Sequence, residues 1–144
     1  MNDIDLLKID NQLCFPLYVC SKEIIKKYKP YLDKLELTYT QYITMMVLWE
    51  EKEINVKSLG EKLYLDSGTL TPLLKKLEKK EFIIRKKSQE DERKLIVSIT
   101  KKGEQLKEKA KIIPKEIGVC LKITEKESIE LYNLLHKMLN KINS

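Results

Sequence analysis

A chain of 144 residues with 28 basic and 22 acidic side chains, net charge +6, is sized for one domain and suits a polyanionic partner. Only 4 glycines and 4 prolines, with 35% charged residues, point to a mainly helical chain. No apolar run is long enough to span a bilayer, the opening MNDIDLLKID has no signal-peptide pattern, and 3 cysteines without paired spacing speak against a secreted disulfide framework, so the expected place is the cytoplasm with no membrane partner.

In chain order, residues 10–29 carry Leu13, Leu17, Ile24 and Ile25 and predict a first helix, with Asp10 or Asn11 as N-cap. Thr38 opens a second helix, Gln41 completing a capping box, and its nearly wholly apolar body at 42–49 is expected to be central core. Residues 56–65 form a short amphipathic helix, Leu59 and Leu63 inward and Lys57, Glu61 and Lys62 outward. A helix over 66–80 follows, capped by Asp66 or Ser67, with Leu70, Leu73, Leu74 and Leu77 as its apolar stripe. Together the two make a helix-turn-helix pair. Strand patterns at 82–87 and 94–100 flank a charged turn at 88–93. Thr100 then starts a long charged helix with Leu106, Ala110 and Ile113, bent at Pro114, and Thr124 with Glu127 caps a last helix carrying Leu131, Leu134, Leu135, Met138, Leu139 and Ile142.

A capped helix beside a basic hairpin is a DNA-reading surface, the helix entering the major groove and the hairpin reaching the backbone or minor groove. The expected contacts are Ser67, Gly68, Thr69, Thr71, Pro72, Lys75 and Lys76 on the helix, and Lys86, Lys87, Asp91, Arg93 and Lys94 on the hairpin, where Asp91 braces the Arg93 guanidinium through a bidentate pair. The apolar seam of the last helix exceeds what a core already closed elsewhere requires. It is expected to meet a second copy, giving a two-fold homodimer on a palindromic double-stranded site. The expected fold is mainly α with a small β-hairpin wing (α+β). A single domain spans 1–144, with a winged helix-turn-helix core at about 38–100 and dimerisation helices at 1–37 and 101–144. His136 stands alone and the glycines are scattered, so neither a metal cluster nor a phosphate loop is expected, nor any cofactor or catalytic residue.

These residues resemble the MarR family of winged-helix regulators, through the helix-turn-helix at 56–80 and the wing segment DERKLIVSIT, where Asp91, Arg93 and Thr100 fill an Asp-x-Arg pattern. NQLCFPLY at 11–18, KYKPYLD at 27–33, LTYTQY at 37–42 and EKLYLDSGTLTPLLKKLE at 61–78 are similar to the organic-hydroperoxide-sensing branch, the OhrR-type repressors. The resemblance covers most of 11–100 and fades after about residue 110. It implies a homodimeric repressor whose hold on DNA falls when organic hydroperoxides oxidise a cysteine near the N-terminus.

On that resemblance Cys14 is the sensing residue. In the opening turns of a helix the dipole and free N–H groups stabilise an anionic sulfur, and the thiolate is the species that attacks peroxides. Pro16 must then lie in the first turn or else locally distort the helix. Tyr28 and Tyr39 stand where the family's thiolate-supporting tyrosines of the opposite subunit lie, with Tyr18 a third candidate. A sulfenic acid at Cys14 has two open fates, a disulfide with Cys120 across the dimer, which is our expectation, or reaction with a small cellular thiol. Cys20 points to another face and is a bystander. Two rivals remain: a regulator released by a small phenolic ligand, with Cys14 inert, and a thiol peroxidase, which needs a cation beside the sulfur.

Overall fold

The computed structural model describes residues 3–142; residues 1–2 and 143–144, which the expected 1–144 domain includes, lie outside the described residues. A short helix α1 (Asp3–Leu6) and a 3-10 turn (Ile9–Asn11) lead into α2 (Cys14–Asp33) and α3 (Tyr39–Glu51). Strand β1 (Glu53–Asn55), helices α4 (Val56–Leu63) and α5 (Ser67–Lys79), and strands β2 (Ile83–Lys87) and β3 (Leu95–Ile99) form the middle. Helices α6 (Lys101–Ala110), α7 (Ile113–Cys120) and α8 (Glu125–Ile142) complete the chain.

Side-chain caps set most of these boundaries. Thr38 Oγ1 accepts the Gln41 N–H at 3.2 Å while Gln41 Oε1 accepts the Thr38 N–H at 3.0 Å, the expected box. Asn55 caps α4, Thr100 caps α6, and of the two candidates before α5 it is Asp66 that accepts, from the Thr69 N–H at 2.8 Å. Thr124 and Glu127 form the second box at the start of α8.

Three expectations need correction. The first long helix starts at Cys14 and runs to Asp33, and neither Asp10 nor Asn11 caps it. Asn11 Nδ2 instead donates to the Asp5 carbonyl at 2.8 Å and Gln12 Nε2 to that of Leu6 at 2.7 Å, so these amides close the preceding turn. The helix after the wing is divided rather than bent: α6 ends at Ala110, and Pro114 lies in the first turn of α7, where a missing N–H costs nothing. The sheet has three strands in the order β1-β3-β2, all antiparallel, because Glu53–Asn55 pairs with Ser98, Val97 and Ile96.

One core joins α2 to α7. Met45, Leu48, Leu59, Leu74, Leu77 and Val97 are fully buried, with Trp49, Phe82, Ile83, Ile113 and Ile117 around them. The stripe of α5, Leu70, Leu73, Leu74 and Leu77, lies wholly inside. Gly103 lets α6 approach the base of the wing: a Cβ there would sit 2.3 Å from the Phe82 carbonyl oxygen, and the Gly103 carbonyl accepts the Trp49 indole N–H at 2.9 Å. The helices at the two ends differ. No residue of α8 is buried, and Leu131, Leu134, Met138 and Ile142 face outward, as do Leu13, Phe15, Leu17 and Tyr18 at the other end.

Candidate functional site

The Asp66 cap begins α5 at Ser67 and turns its apolar stripe inward, which leaves Ser67, Gly68, Thr69, Thr71, Pro72, Lys75 and Lys76 together on the exposed face. The Thr69 hydroxyl and N–H hold the Asp66 carboxyl below the usual carboxylate range, so the cap stays charged near neutrality. All seven expected contacts thus share one solvent-facing side of a single helix.

In the wing, Ser88 N–H donates to the Lys94 carbonyl and Lys94 N–H to that of Asp91, closing the turn at 2.8 and 2.9 Å. Asp91 Oδ1 accepts both the Arg93 N–H at 3.0 Å and Arg93 Nε at 3.3 Å. The expected bidentate pair is therefore a one-oxygen brace, which leaves the outer edge of the guanidinium free and the side chain 92% exposed. Lys87 and Lys94 are exposed beside it, whereas Lys86 leans 3.8 Å from Glu53 on β1.

Sequence reasoning missed two groups here. Lys57, read only as an outward residue of α4, lines a groove of about 530 Å³ with Ser58, Arg93 and Lys94, so helix and wing present cations to the same groove. Arg85 at the start of the wing donates from its backbone N–H to Glu78 Oε2 at 2.9 Å, and from Nη2 and Nε to Oε1 at 2.9 and 3.3 Å. These bonds tie the wing to the end of α5 and hold the Glu78 carboxyl below its ordinary range. Their only sequence signal was opposite charge seven residues apart across a turn.

Cys14 is the first residue of α2 and is exposed; Pro16, third in the helix, has no first-turn bond to lose. Tyr18 lies one turn on along the same face, also exposed, with Lys22 Nζ 5.5 Å from its ring centroid. Tyr28 and Tyr39 pack edge to face at 5.0 Å, and Tyr42, not singled out in the sequence, joins them at 5.8 and 6.2 Å. Burial, then Tyr39, pushes the Tyr28 hydroxyl up; burial, then Tyr28 and Tyr39, pushes that of Tyr42 up to about 12. Both phenols therefore keep their protons across the physiological range and have an O–H to donate.

Within one chain these groups are apart. Cys14 and Tyr28 stand fourteen residues apart on α2, about 21 Å along its axis at about 1.5 Å per residue. Cys120, half-buried at the last position of α7, lies at the tyrosine end: the Tyr31 hydroxyl on α2 is pushed up by burial, by Glu116 and by Cys120. The sensing and resolving candidates thus occupy opposite ends of the α2 region, and Cys20 is free and exposed. A pocket of about 320 Å³ adjoins the tyrosines through Tyr42, walled by Met46, Trp49, Ala110 and Pro114 and rimmed by Lys107 and Lys111. Among the described residues no cluster of His, Cys, Asp or Glu is arranged to hold a metal, and no helix is long and apolar enough to cross a membrane.

With this geometry in view, the chain was compared with known proteins. The family model of the SarA/Rot transcriptional regulators matches residues 26–110. The organic hydroperoxide resistance transcriptional regulator of Bacillus subtilis (strain 168) is 47% identical over 142 residues, 99% of this chain and 97% of the relative. Similarity therefore continues well past residue 110, beyond the stretch that the sequence motifs cover. The HTH-type transcriptional regulator SarZ of Staphylococcus aureus (strain USA300) is 45% identical over 133 residues, 92% of this chain and 90% of that protein. Among solved structures, reduced AbfR bound to DNA superposes with a TM-score of 0.79 at 31% identity, covering 99% of this chain and 100% of that one. Disulfide-formed AbfR gives 0.66 at 32% identity, covering 94% and 95%.

Proposed function

The chain belongs to the SarA/Rot family of transcriptional regulators, and on that premise we propose that it is a redox-sensing repressor. A homodimer holds a palindromic operator while Cys14 is reduced and releases it once an organic hydroperoxide has oxidised that sulfur. The observation that carries this reading is the separation along α2. An exposed cysteine at one end and a cluster of phenols at the other are complementary only between two copies whose α2 helices run antiparallel. Tyr28 and Tyr39 of the second copy then donate to the Cys14 thiolate, stabilising it without adding net charge to a site meant for apolar peroxides. The outward apolar residues of α8 and of the N-terminal segment supply the rest of the dimer surface, and residues 38–100 the DNA-reading core.

The chemistry is stoichiometric. The thiolate attacks the outer oxygen of ROOH, the O–O bond breaks, sulfur becomes the sulfenic acid and RO⁻ leaves to be protonated as the alcohol. Cys120 of the second copy then attacks that sulfur, forming the disulfide while the sulfenic oxygen leaves as water with the thiol proton. Cys120 lies at the tyrosine end of α2, where antiparallel pairing delivers Cys14. No turnover is needed, so the protein acts as a regulator and not a peroxidase, in the compartment where its operator resides, the cytoplasm. The DNA contacts are those of the exposed α5 face and the wing, with Lys57 added.

The test is operator binding with cumene hydroperoxide added. Cys14→Ser should bind as tightly as the reduced wild type and no longer be released; a Cys14→Ser protein that still lets go overturns the assignment. Cys120→Ser should lose the covalent dimer on a non-reducing gel while Cys14 still oxidises. The pocket beside Tyr42 supports a second reading, release by a small phenolic ligand held among Met46, Trp49 and Lys107. That reading requires release with Cys14 absent, so the same variant separates the two.

A further inference from the structure

Lys75, Lys76 and Lys79 on α5 are exposed, but Lys80, the residue that caps its C-terminal end, is half-buried. Its Nζ donates to Gln41 Oε1 at 3.2 Å and to the Glu36 carbonyl. Its own carbonyl accepts from Lys102 Nζ at 3.1 Å. Gln41 is 4% exposed, and the oxygen that receives Lys80 is the one that receives the Thr38 N–H in the capping box. Glu36 stands at the corner between α2 and α3 in the left-handed region, φ 57°. A lysine half-buried against two acceptors is held in place. This one fastens the end of the DNA-reading helix to the corner from which α3 starts.

Tyr39 is the first residue of α3, between Thr38 and Gln41, and its ring is 5.0 Å from that of Tyr28. The group that receives Lys80 and the phenol that receives the sulfur therefore belong to one helical turn. We propose that Lys80 is the positioning residue that couples the state of Cys14 to the placement of the DNA-reading helix, a proposal that rests on the redox reading above. While the thiolate is held by Tyr28 and Tyr39, the first turn of α3 is fixed and Lys80 fixes α5 to it. When the oxidised sulfur leaves those phenols, the turn and corner shift and the bonded end of α5 shifts with them. Because α5 is a helix packed along its whole apolar stripe, movement at its C-terminal end swings its exposed face out of register with the half-site. Adjacency alone does not establish such a link, so the test must measure the coupling itself.

The full-length dimer is titrated with a duplex that the reduced protein selects from a random-sequence pool, before and after treatment with cumene hydroperoxide. Lys80→Met keeps the packing of the stem and removes the donors. The ratio of oxidised to reduced Kd should fall by about tenfold or more, the scale of coupling between two sites. Cys14 should meanwhile lose its free thiol at the wild-type rate. A loss that was merely structural raises both Kd values alike and leaves their ratio unchanged. Lys80→Gln, too short to reach Gln41, carries the same expectation and decides the matter if the Met variant does not fold. A wild-type ratio in a folded variant overturns the role of Lys80. A wild-type protein that keeps its duplex after oxidation overturns the redox reading instead, a result seen without any variant.

Discussion

From the second half of α2 to α7 the chain closes on itself: most helix starts are capped, the apolar stripe of α5 is wholly buried, and a three-stranded sheet ties Glu53–Asn55 to the wing. At the two ends it does not. Helix α8 has the same kind of amphipathic pattern and a well-formed capping box, yet buries nothing, and Leu13, Phe15, Leu17 and Tyr18 stand exposed around Cys14. Local rules make a helix in both regions, but only the middle finds its packing partner within one chain. On the proposed reading the difference teaches that recognition is a property of the monomer fold, whereas sensing and spacing belong to the pair.

The strongest way to break that comparison is to charge the unfinished surface. The double change Leu131→Glu and Leu134→Glu should convert the dimer to monomer in sedimentation velocity. Operator affinity should fall by about 100-fold or more, since two linked half-site contacts become one. The middle should still unfold cooperatively, because its core involves neither residue. If the whole chain unfolds instead, the middle is not self-sufficient and the comparison fails.

The same division explains what was legible in advance. The caps at Thr38, Asp66, Thr100 and Thr124 and the stripe of α5 depend on residues three or four apart, so the sequence displays them directly. Strand β1 is three residues long and becomes a strand only by pairing with β3 some forty residues later. The first long helix was placed too early because Asn11, a plausible cap by type, bonds backward to α1, as does the neighbouring Gln12. Lys80 was not singled out in the sequence at all, since its acceptors are 39 and 44 positions away. Of the sensing site, Cys14, Tyr28 and Tyr39 were readable only through resemblance; nothing in one chain's periodicity brings them together.

Across the boundary between the regions, Tyr28→Phe and Tyr39→Phe test whether the middle of one copy serves the end of the other. Each should keep the fold while slowing Cys14 oxidation, followed by thiol titration, through loss of one donor to an anion, typically about 1.5–3 kcal/mol. Cluster packing survives because the ring contacts do not need the hydroxyls. Wild-type thiol reactivity in both variants would reduce these tyrosines to core residues.

Within the middle, Arg93→Ala should weaken operator binding by about 1–3 kcal/mol, and Lys57→Ala should lower the salt slope by about 1. Arg93 is 92% exposed and held only through Nε and its backbone, so removing its side chain should leave thermal stability unchanged. A stability loss with unchanged affinity would make the Asp91 brace an architectural feature alone.

The smallest effect expected is a pH dependence located wholly in the middle. The Arg85 side chain, then its backbone N–H, holds the Glu78 carboxyl below its ordinary range, which is about 4.3 for a free glutamate. A group depressed on folding contributes stability that is fully present above its unfolded value and is lost as pH falls through the folded one. Glu78→Gln should therefore lower the urea midpoint near neutrality, and its difference from wild type should shrink as pH is taken below about 4. The Glu78 side chain is 36% exposed and its partner 19%, so the contribution at neutral pH should be no more than about 1 kcal/mol. Because the pair joins α5 to the wing, the variant should lose operator affinity along with stability. Charging α8 should instead lose affinity through the dimer while the middle still melts as one unit. A Glu78→Gln protein whose stability deficit is the same at pH 3.5 as at pH 7 would show that the carboxylate's charge is not what ties the wing to the helix.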